Sequence, residues 1–441
     1  MRSSDMTIAE NVREAGVVGA GGAGFPTHIK IACSAEYVIG NGAECEPLLR
    51  VDQQVMQLDA AGVVAGLRAV MEQTGASKGV IALKKHYKEA IISLEKAIGS
   101  EKDISLYLLR EYYPAGDEQH MIHEVTGRVV PTGGLPLDIG VVVCNVSTLE
   151  NIAKALDGVA VTDKYVTVGG AVKTPCTLKV PIGISGDELI REAGGTTEDC
   201  VYIIGGPCMG KVSETANFPI TKTTGGLLAI PKAHSLLKKK DDSMSLQLIQ
   251  AVCCQCTMCT QMCPRNALGL NVQPHKAMRA VANGMDLLEN ENGIFSCCDC
   301  GICTYYACNF GLKPSKIMQQ FKMQMMTAGK KPKKEVYTDV DLCIEQKKLP
   351  VSRLIARLGI DEYDIPAPME HELMKTNVVR IPLKMHVGAR AVPIVKEGCP
   401  VNRGELIADI PQGALGAKVH ASIDGVIVKI SDEIIEIRGS R

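Results

Sequence analysis

The sequence predicts a multidomain α/β protein with a cysteine-rich module in its second half, and three observations carry that reading. From the N-terminus to about residue 155, apolar strand-like runs alternate with helical patterns, the texture of a largely parallel sheet covered by helices. Two dense cysteine runs follow in the second half. From residue 377 onward the chain returns to short strands broken by Gly and Pro, which suggests a compact all-β module. At 441 residues it is too long for one core and should form three or four domains.

The elements follow in order. Thr7-x-x-Glu10 has the form of a capping box, so a short helix should run to Ala15 and stop at Gly16. Gly79–Lys84, Ile104–Leu109 and Ile139–Val146 read as strands, with helical patterns around Asp52–Thr74 and Tyr87–Ile98. From Lys164 to about Ser213, strands surround one short helix (DELIREAGG), suggesting a small α+β module of the β-grasp kind. The cysteine region closes with the amphipathic helix SKIMQQFKMQMM, where Ile317, Phe321 and Met325 share a face and the methionines read as core filler. A charged, proline-containing stretch then reads as a linker with one helix, Val351–Leu358. The expected units are 1–158, 159–235, 243–328, the linker 329–376 and 377–441.

Composition narrows the function. A formal charge of −1 argues against nucleic-acid binding, which needs a basic face. The short basic runs Lys238–Lys240 and Lys330–Lys334 read as solvated linkers. No apolar stretch approaches the ~20 residues of a membrane span. The N-terminal MRSSDMTIAENVREAG lacks the hydrophobic core of a signal peptide. Eighteen cysteines without an export signal point to a reducing, cytoplasmic setting.

The first cysteine run gives Cys253-x2-Cys256-x2-Cys259-x3-Cys263 followed by Pro264, and the second gives Cys297-x2-Cys300-x2-Cys303-x4-Cys308. Thiolates spaced by two residues wrap three corners of a cubane, and a fourth cysteine beyond closes it. In two-cluster ferredoxins that fourth cysteine serves the other cluster. Cys253, Cys256, Cys259 and Cys308 are therefore expected on one [4Fe–4S] centre, and Cys297, Cys300, Cys303 and Cys263 on the second. Two zinc ribbons or a set of disulfides are the competing readings. A four-thiolate zinc site pairs two CxxC units across a loop, whereas closely packed thiols ending in Cys-Pro are the iron–sulfur signature.

GAGGAGFPT (Gly19–Thr27) formally contains G-x-G-x-x-G at Gly19, Gly21 and Gly24, with Glu44 about 20 residues on. That fingerprint must follow a buried strand, and here a helix and only two valines precede it, so the context fails. The underlying physics still applies: residues without side chains let backbone N–H groups approach a phosphate. Pro26 is expected at N1 of a helix aimed at that anion. NGAECEP (Asn41–Pro47) sets Glu44 and Glu46 two apart at the end of a strand-like run, so both can face one side, although solvated carboxylates are the plainer reading. YYPAGDE (Tyr112–Glu118) again combines glycine with two acids, and CNVSTLEN (Cys144–Asn151) follows a buried strand.

In this order, these segments resemble the flavin-binding subunit of respiratory complex I and the C subunit of the Rnf electron-transport complex. The complex I pattern is GRGGAGFPT, N-x-x-E-x-E-P, Y-x-x-G-E-E and N-V-x-T-L. This chain keeps GAGGAGFPT, Asn41-x-x-Glu44-x-Glu46-Pro47, Tyr113-x-x-Gly116-Asp117-Glu118 and Asn145-Val146-x-Thr148-Leu149. The resemblance implies an FMN site, with Gly19, Gly21 and Gly22 along the phosphate, Gly24 in the same loop and Lys30 near the isoalloxazine. Asn41, Glu44, Gly116, Asp117, Asn145 and Thr148 would line the flavin, with Tyr113 among the cofactor residues. Phe25, Glu46 and Glu118 would lie where NADH binds. Asp117 departs from the glutamate of complex I.

VTVGGAVKTPCTLKVPIGIS resembles the soluble-ligand-binding β-grasp (SLBB) module of the same proteins. VKEGCPVNRGELIA and VHASIDGVIVKI resemble a barrel-sandwich hybrid, the lipoyl-like fold, which the Rnf proteins carry at the N-terminus. With YPAGDE, TKTTGGLL and GALGAKVHASIDGV, the order most closely resembles the cobalamin reductases of propanediol-utilisation microcompartments. The resemblance implies a reductase carrying electrons from NADH through FMN and two [4Fe–4S] clusters to corrinoids inactivated during diol dehydratase turnover. It also implies a corrinoid or corrinoid adenosyltransferase as partner and a place within or attached to a microcompartment, with a shell protein as a further partner. An NADH-dependent reductase of a ferredoxin- or flavodoxin-type partner, or a non-enzymatic relay docked to the shell, are the alternatives.

Other residues read plainly. Lys418 lies near a lipoyl-hairpin position without the Asp-Lys or Met-Lys pattern, and reads as a surface lysine. Cys254 and Cys298 neighbour ligands and read as bystanders. Cys33, Cys45, Cys144, Cys176, Cys200, Cys208, Cys343 and Cys399 show no metal spacing and read as small buried hydrophobes. His120 and His123 read as core or surface residues. Asn309 stands where a proline normally follows the last cluster cysteine.

Overall fold

The computed structural model describes residues 6–241, 243, 245–285, 291–335 and 339–439. The outer ends expected for the first and last domains lie outside these described residues. The helix Ile8–Glu14 begins at the expected capping box: Glu10 N donates to Thr7 Oγ1, and Thr7 N donates to the Glu10 carboxylate at 2.7 Å. Ala15 caps it, and Gly16 turns the chain away at φ +66°.

Five strands follow: β1 (Tyr37–Gly42), β2 (Lys78–Lys84), β3 (Ile104–Leu109), β4 (Tyr112–Tyr113) and β5 (Val141–Asn145). All but β4 form one parallel sheet in the order β3-β2-β1-β5. Successive residues serve opposite faces. Val38 and Ile81 pack with Leu67, Leu94 and Leu149, while Ile39 and Ala82 pack with Met121 and Ile122. Both faces are covered, which is why the strands are near-continuous apolar runs. The strand order reverses at β1, so the carboxyl ends of β1 and β5 open a crevice at a topological switch point. The register partners Asn41 and Asn145 stand at its mouth.

The next module holds β6 (Asp163–Gly170), β7 (Cys176–Pro181), the helix Gly186–Glu192, β8 (Cys200–Ile204), β9 (Lys211–Ser213) and β10 (Gly226–Pro231). Leu189 of that helix and its C-cap Ala193 pack under Val166, Leu178 and Leu227, giving the expected strands around one helix. Lys238–Lys240 is no solvated linker, because Lys240 is buried and donates to the carbonyls of Pro207 and Cys208.

The cysteine region is built of short helices closed by Pro314–Thr327. Ile317, Met318, Phe321 and Met325 are buried there, while Met323 and Met326 are exposed, so only two of the four methionines fill the core. The stretch 329–376 does more than connect. Its β11 (Leu349–Pro350) pairs with β4, and its β12 (Met369–Leu373) extends the β-grasp sheet to the order β12-β7-β6-β10-β8-β9. Leu354 and Leu358 of the helix Val351–Leu358 share one core with Tyr113, Ile203, Ile302 and Tyr305, so three modules are joined there.

The last module contains β13 (Val378–Pro382), β14 (Val392–Pro393), β15 (Pro400–Val401), β16 (Leu406–Asp409), β17 (Val419–His420), β18 (Gly425–Ile430) and β19 (Ile434–Gly439). They form two sheets, β13-β19-β18-β15 and β14-β16-β17. Lys418 is not a surface lysine: its hairpin packs on the first domain, where its side chain is 10% exposed and pairs with Glu14 at 2.7 Å. Lys222 of the TKTTGG loop donates to the carbonyls of Gly16 and Lys418 at 2.6 and 2.9 Å, tying three modules together. No described helix is long and apolar enough to cross a membrane.

Candidate functional site

The crevice at the β1/β5 switch point is a cavity of about 760 Å³, within the range of cofactor sites. All fifteen expected cofactor residues, from Gly19 to Thr148, line it. In the glycine loop, Gly22 and Gly24 both take φ +69°, which favours glycine. A Cβ on Gly24 would meet Thr223 Cγ2 at 2.8 Å and the Met385 carbonyl at 2.9 Å, so the β-grasp and C-terminal modules press on the loop. Ala20 N donates to Thr148 Oγ1 at 2.9 Å, and Gly19 N to the Phe25 carbonyl at 3.0 Å. The amides of Gly21, Gly22, Ala23 and Gly24 make no hydrogen bond among the described residues. Pro26 occupies the N-cap rather than N1 of the one-turn helix Thr27–Lys30, because it also bridges to Val18.

Glu44 and Glu46 do not share a face. The strand ends at Gly42, and φ +37° at Glu44 breaks its alternation. Glu44 accepts from Asp52 N at 3.0 Å and Gln53 N at 3.3 Å, capping the helix Val51–Leu58. Glu46 accepts from Cys208 N at 2.8 Å and Met209 N at 3.0 Å, in the turn between β8 and β9. Burial, then the neighbouring Asp52, raises the Glu44 carboxyl above its ordinary range. Burial likewise raises Glu46 and Asp52.

The remaining walls are equally tied. Asn41 Nδ2 donates to the Gly116 carbonyl at 2.9 Å. Asn145 Nδ2 donates to Asp52 at 2.8 Å, while its Oδ1 accepts from Ser147 N at 2.9 Å and caps the helix Val146–Leu156. Lys30 pairs with Glu118 at 2.9 Å, and Phe25 is 39% exposed. Burial pushes the Cys45 thiol up to about 12, so it is a neutral part of the wall.

Of the lining and supporting residues that escaped the sequence reading, Arg265, Lys164 and Cys298 bear most directly on the chemistry. Arg265 holds the Asp117 carboxylate from the cysteine region. Lys164 reaches in from β6 and donates to the Ala20 carbonyl at 3.0 Å. Cys298, read as a bystander, lines the cavity beside Cys300. Only the position of Arg265, just beyond Cys263-Pro264, gave any signal.

The cysteines fall into two groups. Cys253, Cys256, Cys259 and Cys308 line one small cavity with His275, Met278 and Phe310. Burial, then Cys256, Cys308 and Cys253, pushes the Cys259 thiol up to about 12. Burial, then the charges of Cys297, Cys263 and Cys259, pushes the Cys303 thiol up, and the hydrogen bond with Cys298, burial and the charge of Cys263 raise Cys300. Burial pushes the Cys263 thiol up to about 12 as well. Thiols so crowded ionise together only against a bound cation, which the irons of a cluster supply.

All eighteen cysteines are free thiols, which removes the disulfide reading. Of the other cysteines, Cys144, Cys176, Cys200 and Cys208 are buried, but Cys343 is exposed and Cys33, Cys45 and Cys399 are half-buried, because they lie in loops at module edges. Asn309 accepts from Arg357 Nη2 at 3.1 Å, which fixes the turn without a proline.

The residues fit an FMN: unpaired amides and a buried lysine at one end of the cavity, with Leu49, Val51, Val143 and Ile204 as apolar wall. Family models match along the chain in four segments. They are the Nuo51 FMN-binding domain at residues 12–154, the SLBB domain at 165–212, the 4Fe-4S dicluster domain at 252–313 and the RnfC barrel sandwich hybrid domain at 367–439. The chain is similar to the cobalamin reductase PduS of Citrobacter freundii, 41% identical over 439 residues, covering 98% of this chain and 96% of that protein. The corresponding protein of Salmonella typhimurium is 42% identical over 438 residues, with the same coverage. The C component of the Na(+)-translocating ferredoxin:NAD(+) oxidoreductase complex of Acetobacterium woodii is 36% identical over 294 residues, covering 65% of this chain and 63% of that protein.

Proposed function

This chain belongs to the cobalamin reductase family, and from that premise we propose that it carries electrons from NADH, by way of FMN and two [4Fe–4S] clusters, to the cobalt of a corrinoid. A flavin held here would supply the exchange between two-electron hydride chemistry and single-electron transfer, and clusters held by the cysteines would supply one-electron carriers. The protein's own residues hold these groups in line and keep water from the inner ones.

One observation carries the reading: Cys298 and Cys300 stand in the wall of the same cavity as the glycine loop. The donor pocket and one cysteine group therefore share a boundary. Tyr113 strengthens it, donating from its hydroxyl to the Cys300 carbonyl at 2.7 Å. Cys263, Cys300 and Cys303 are buried, whereas Cys256 is exposed. The group nearest the flavin is thus drawn mainly from the second cysteine run, and the first run provides the outer one. Phe25 and the Lys30–Glu118 pair lie at the cavity where NADH would approach.

The corrinoid, or an adenosyltransferase presenting it, would meet the exposed side at Cys256. The family likeness also supports work within or attached to a bacterial microcompartment, with a shell protein as partner. The test is an anaerobic NADH titration of the cluster-reconstituted protein, followed by hydroxocobalamin. Bleaching of flavin and cluster bands, then growth of the cob(II)alamin spectrum, is expected. Bleaching without corrinoid turnover would move the assignment to a ferredoxin- or flavodoxin-type acceptor. No bleaching with NADH, where dithionite still bleaches, would leave an electron relay.

A further inference from the structure

We propose that Lys164, a residue of the β-grasp module, is the cation that holds the flavin phosphate in the first domain's cavity. The inference rests on the FMN reading above. Strand β6 carries Lys164 across the module boundary, where it is 7% exposed and lines the cavity. Its ammonium has three protons to donate, and among the described residues it meets one acceptor, the Ala20 carbonyl at 3.0 Å. A buried charge with donors left over needs a further partner.

The carboxylates nearby are engaged elsewhere. Asp52 accepts from Asn145 and Ser147, Glu44 from two helix amides, and Glu150 pairs with Lys154. Their fields still favour the charged lysine, although burial, the larger effect, lowers its pKa. The cavity's other lysine, Lys30, already pairs with Glu118.

A second observation points the same way. The carbonyl that Lys164 grips belongs to the glycine loop, where the amides of Gly21 through Gly24 make no hydrogen bond among the described residues. The loop itself carries no charged side chain from Gly19 to Phe25. A buried ammonium and a run of backbone donors at one place form a site for a compact dianion. A phosphate monoester satisfies both at once, and the flavin's phosphate is the one this cavity would hold. The flavin site is therefore completed by a second domain.

The test uses the full-length, cluster-loaded protein stripped of flavin, titrated with FMN and, separately, with riboflavin, following flavin fluorescence. Lys164→Met should weaken FMN by about 10- to 100-fold, with riboflavin binding unchanged, and Lys164→Arg should keep most of the FMN affinity. Unchanged cluster absorption shows that the variant folds, and Lys164→Gln carries the same comparison if the Met variant does not. Equal losses for FMN and riboflavin, or no loss for either, overturns the proposal. So does a rise in KM for NADH with FMN affinity intact, which would assign Lys164 to the dinucleotide's pyrophosphate. If wild type itself binds neither flavin, the FMN reading fails rather than the role of Lys164.

Discussion

Arg265 grips Asp117 with two parallel hydrogen bonds, Nε to Oδ2 at 2.7 Å and Nη2 to Oδ1 at 2.6 Å. The side chains are 11% and 7% exposed. Asp117 lines the cofactor cavity, and Arg265 follows Cys263-Pro264 in the cluster region. Asp117 also caps the helix Glu118–Thr126, and Arg265 faces Cys297 and Cys298. One ion pair therefore fixes the cluster region against the flavin cavity, in the bidentate geometry that makes such pairs strong.

Breaking that pair from one side should be costly. Arg265→Met leaves a buried carboxylate unpaired and should destabilise the protein by about 3–5 kcal/mol. Adding Asp117→Asn, which keeps a capping oxygen, should recover most of the loss. A denaturation double-mutant cycle checks this, and additive losses would contradict the buried-pair account.

Gly24→Ala should damage the flavin site. The new Cβ meets Thr223 and the Met385 carbonyl under 3.0 Å, at a positive φ. We expect FMN affinity to fall by roughly tenfold or more, since one strained, clashing position costs about 1–3 kcal/mol. Gly75→Ala is the control, because its Cβ would meet nothing within 4 Å. It should cost about 1–2 kcal/mol of stability, the penalty of a side chain in the left-handed region, and leave flavin binding unchanged in fluorescence titrations.

His120 should contribute to acid sensitivity. It is 2% exposed, with Nδ1 unpartnered among the described residues. Burial lowers its pKa from 6.5 to about 4, with Asp117 and Glu124 opposing. Between those values the unfolded chain binds the proton that the folded chain refuses. Stability is therefore full above 6.5 and falls as pH drops toward 4, by on the order of 3 kcal/mol. His120→Phe should flatten that part of the stability–pH curve in denaturant titrations. An unchanged slope would show that the histidine charges readily in place.

Much of the molecule was legible where the signal is local. The capping box at Thr7, the strand Ile104–Leu109 and the helix Val351–Leu358 follow from patterns a few residues long. The glycine loop and the acids after β1 and β4 reached one cavity because the switch point gathers strand ends. What stayed hidden depends on long-range packing. Lys164 meets a carbonyl 144 residues earlier, and Arg265 meets Asp117 148 residues away. Lys418 looked solvated because nothing beside it reveals Glu14, 404 residues off. Charged composition also masked the two short strands of 329–376, whose partners lie in other modules.

The most direct test of the electron route compares Cys256→Ala with wild type in anaerobic stopped-flow mixing with NADH and hydroxocobalamin. Cys256 is exposed and lies away from the flavin wall that holds Cys300. Normal FMN content and normal flavin bleaching by NADH are expected, with loss of one cluster's signal and loss of cob(II)alamin formation. Corrinoid reduction at the wild-type rate with that cluster absent would contradict that route.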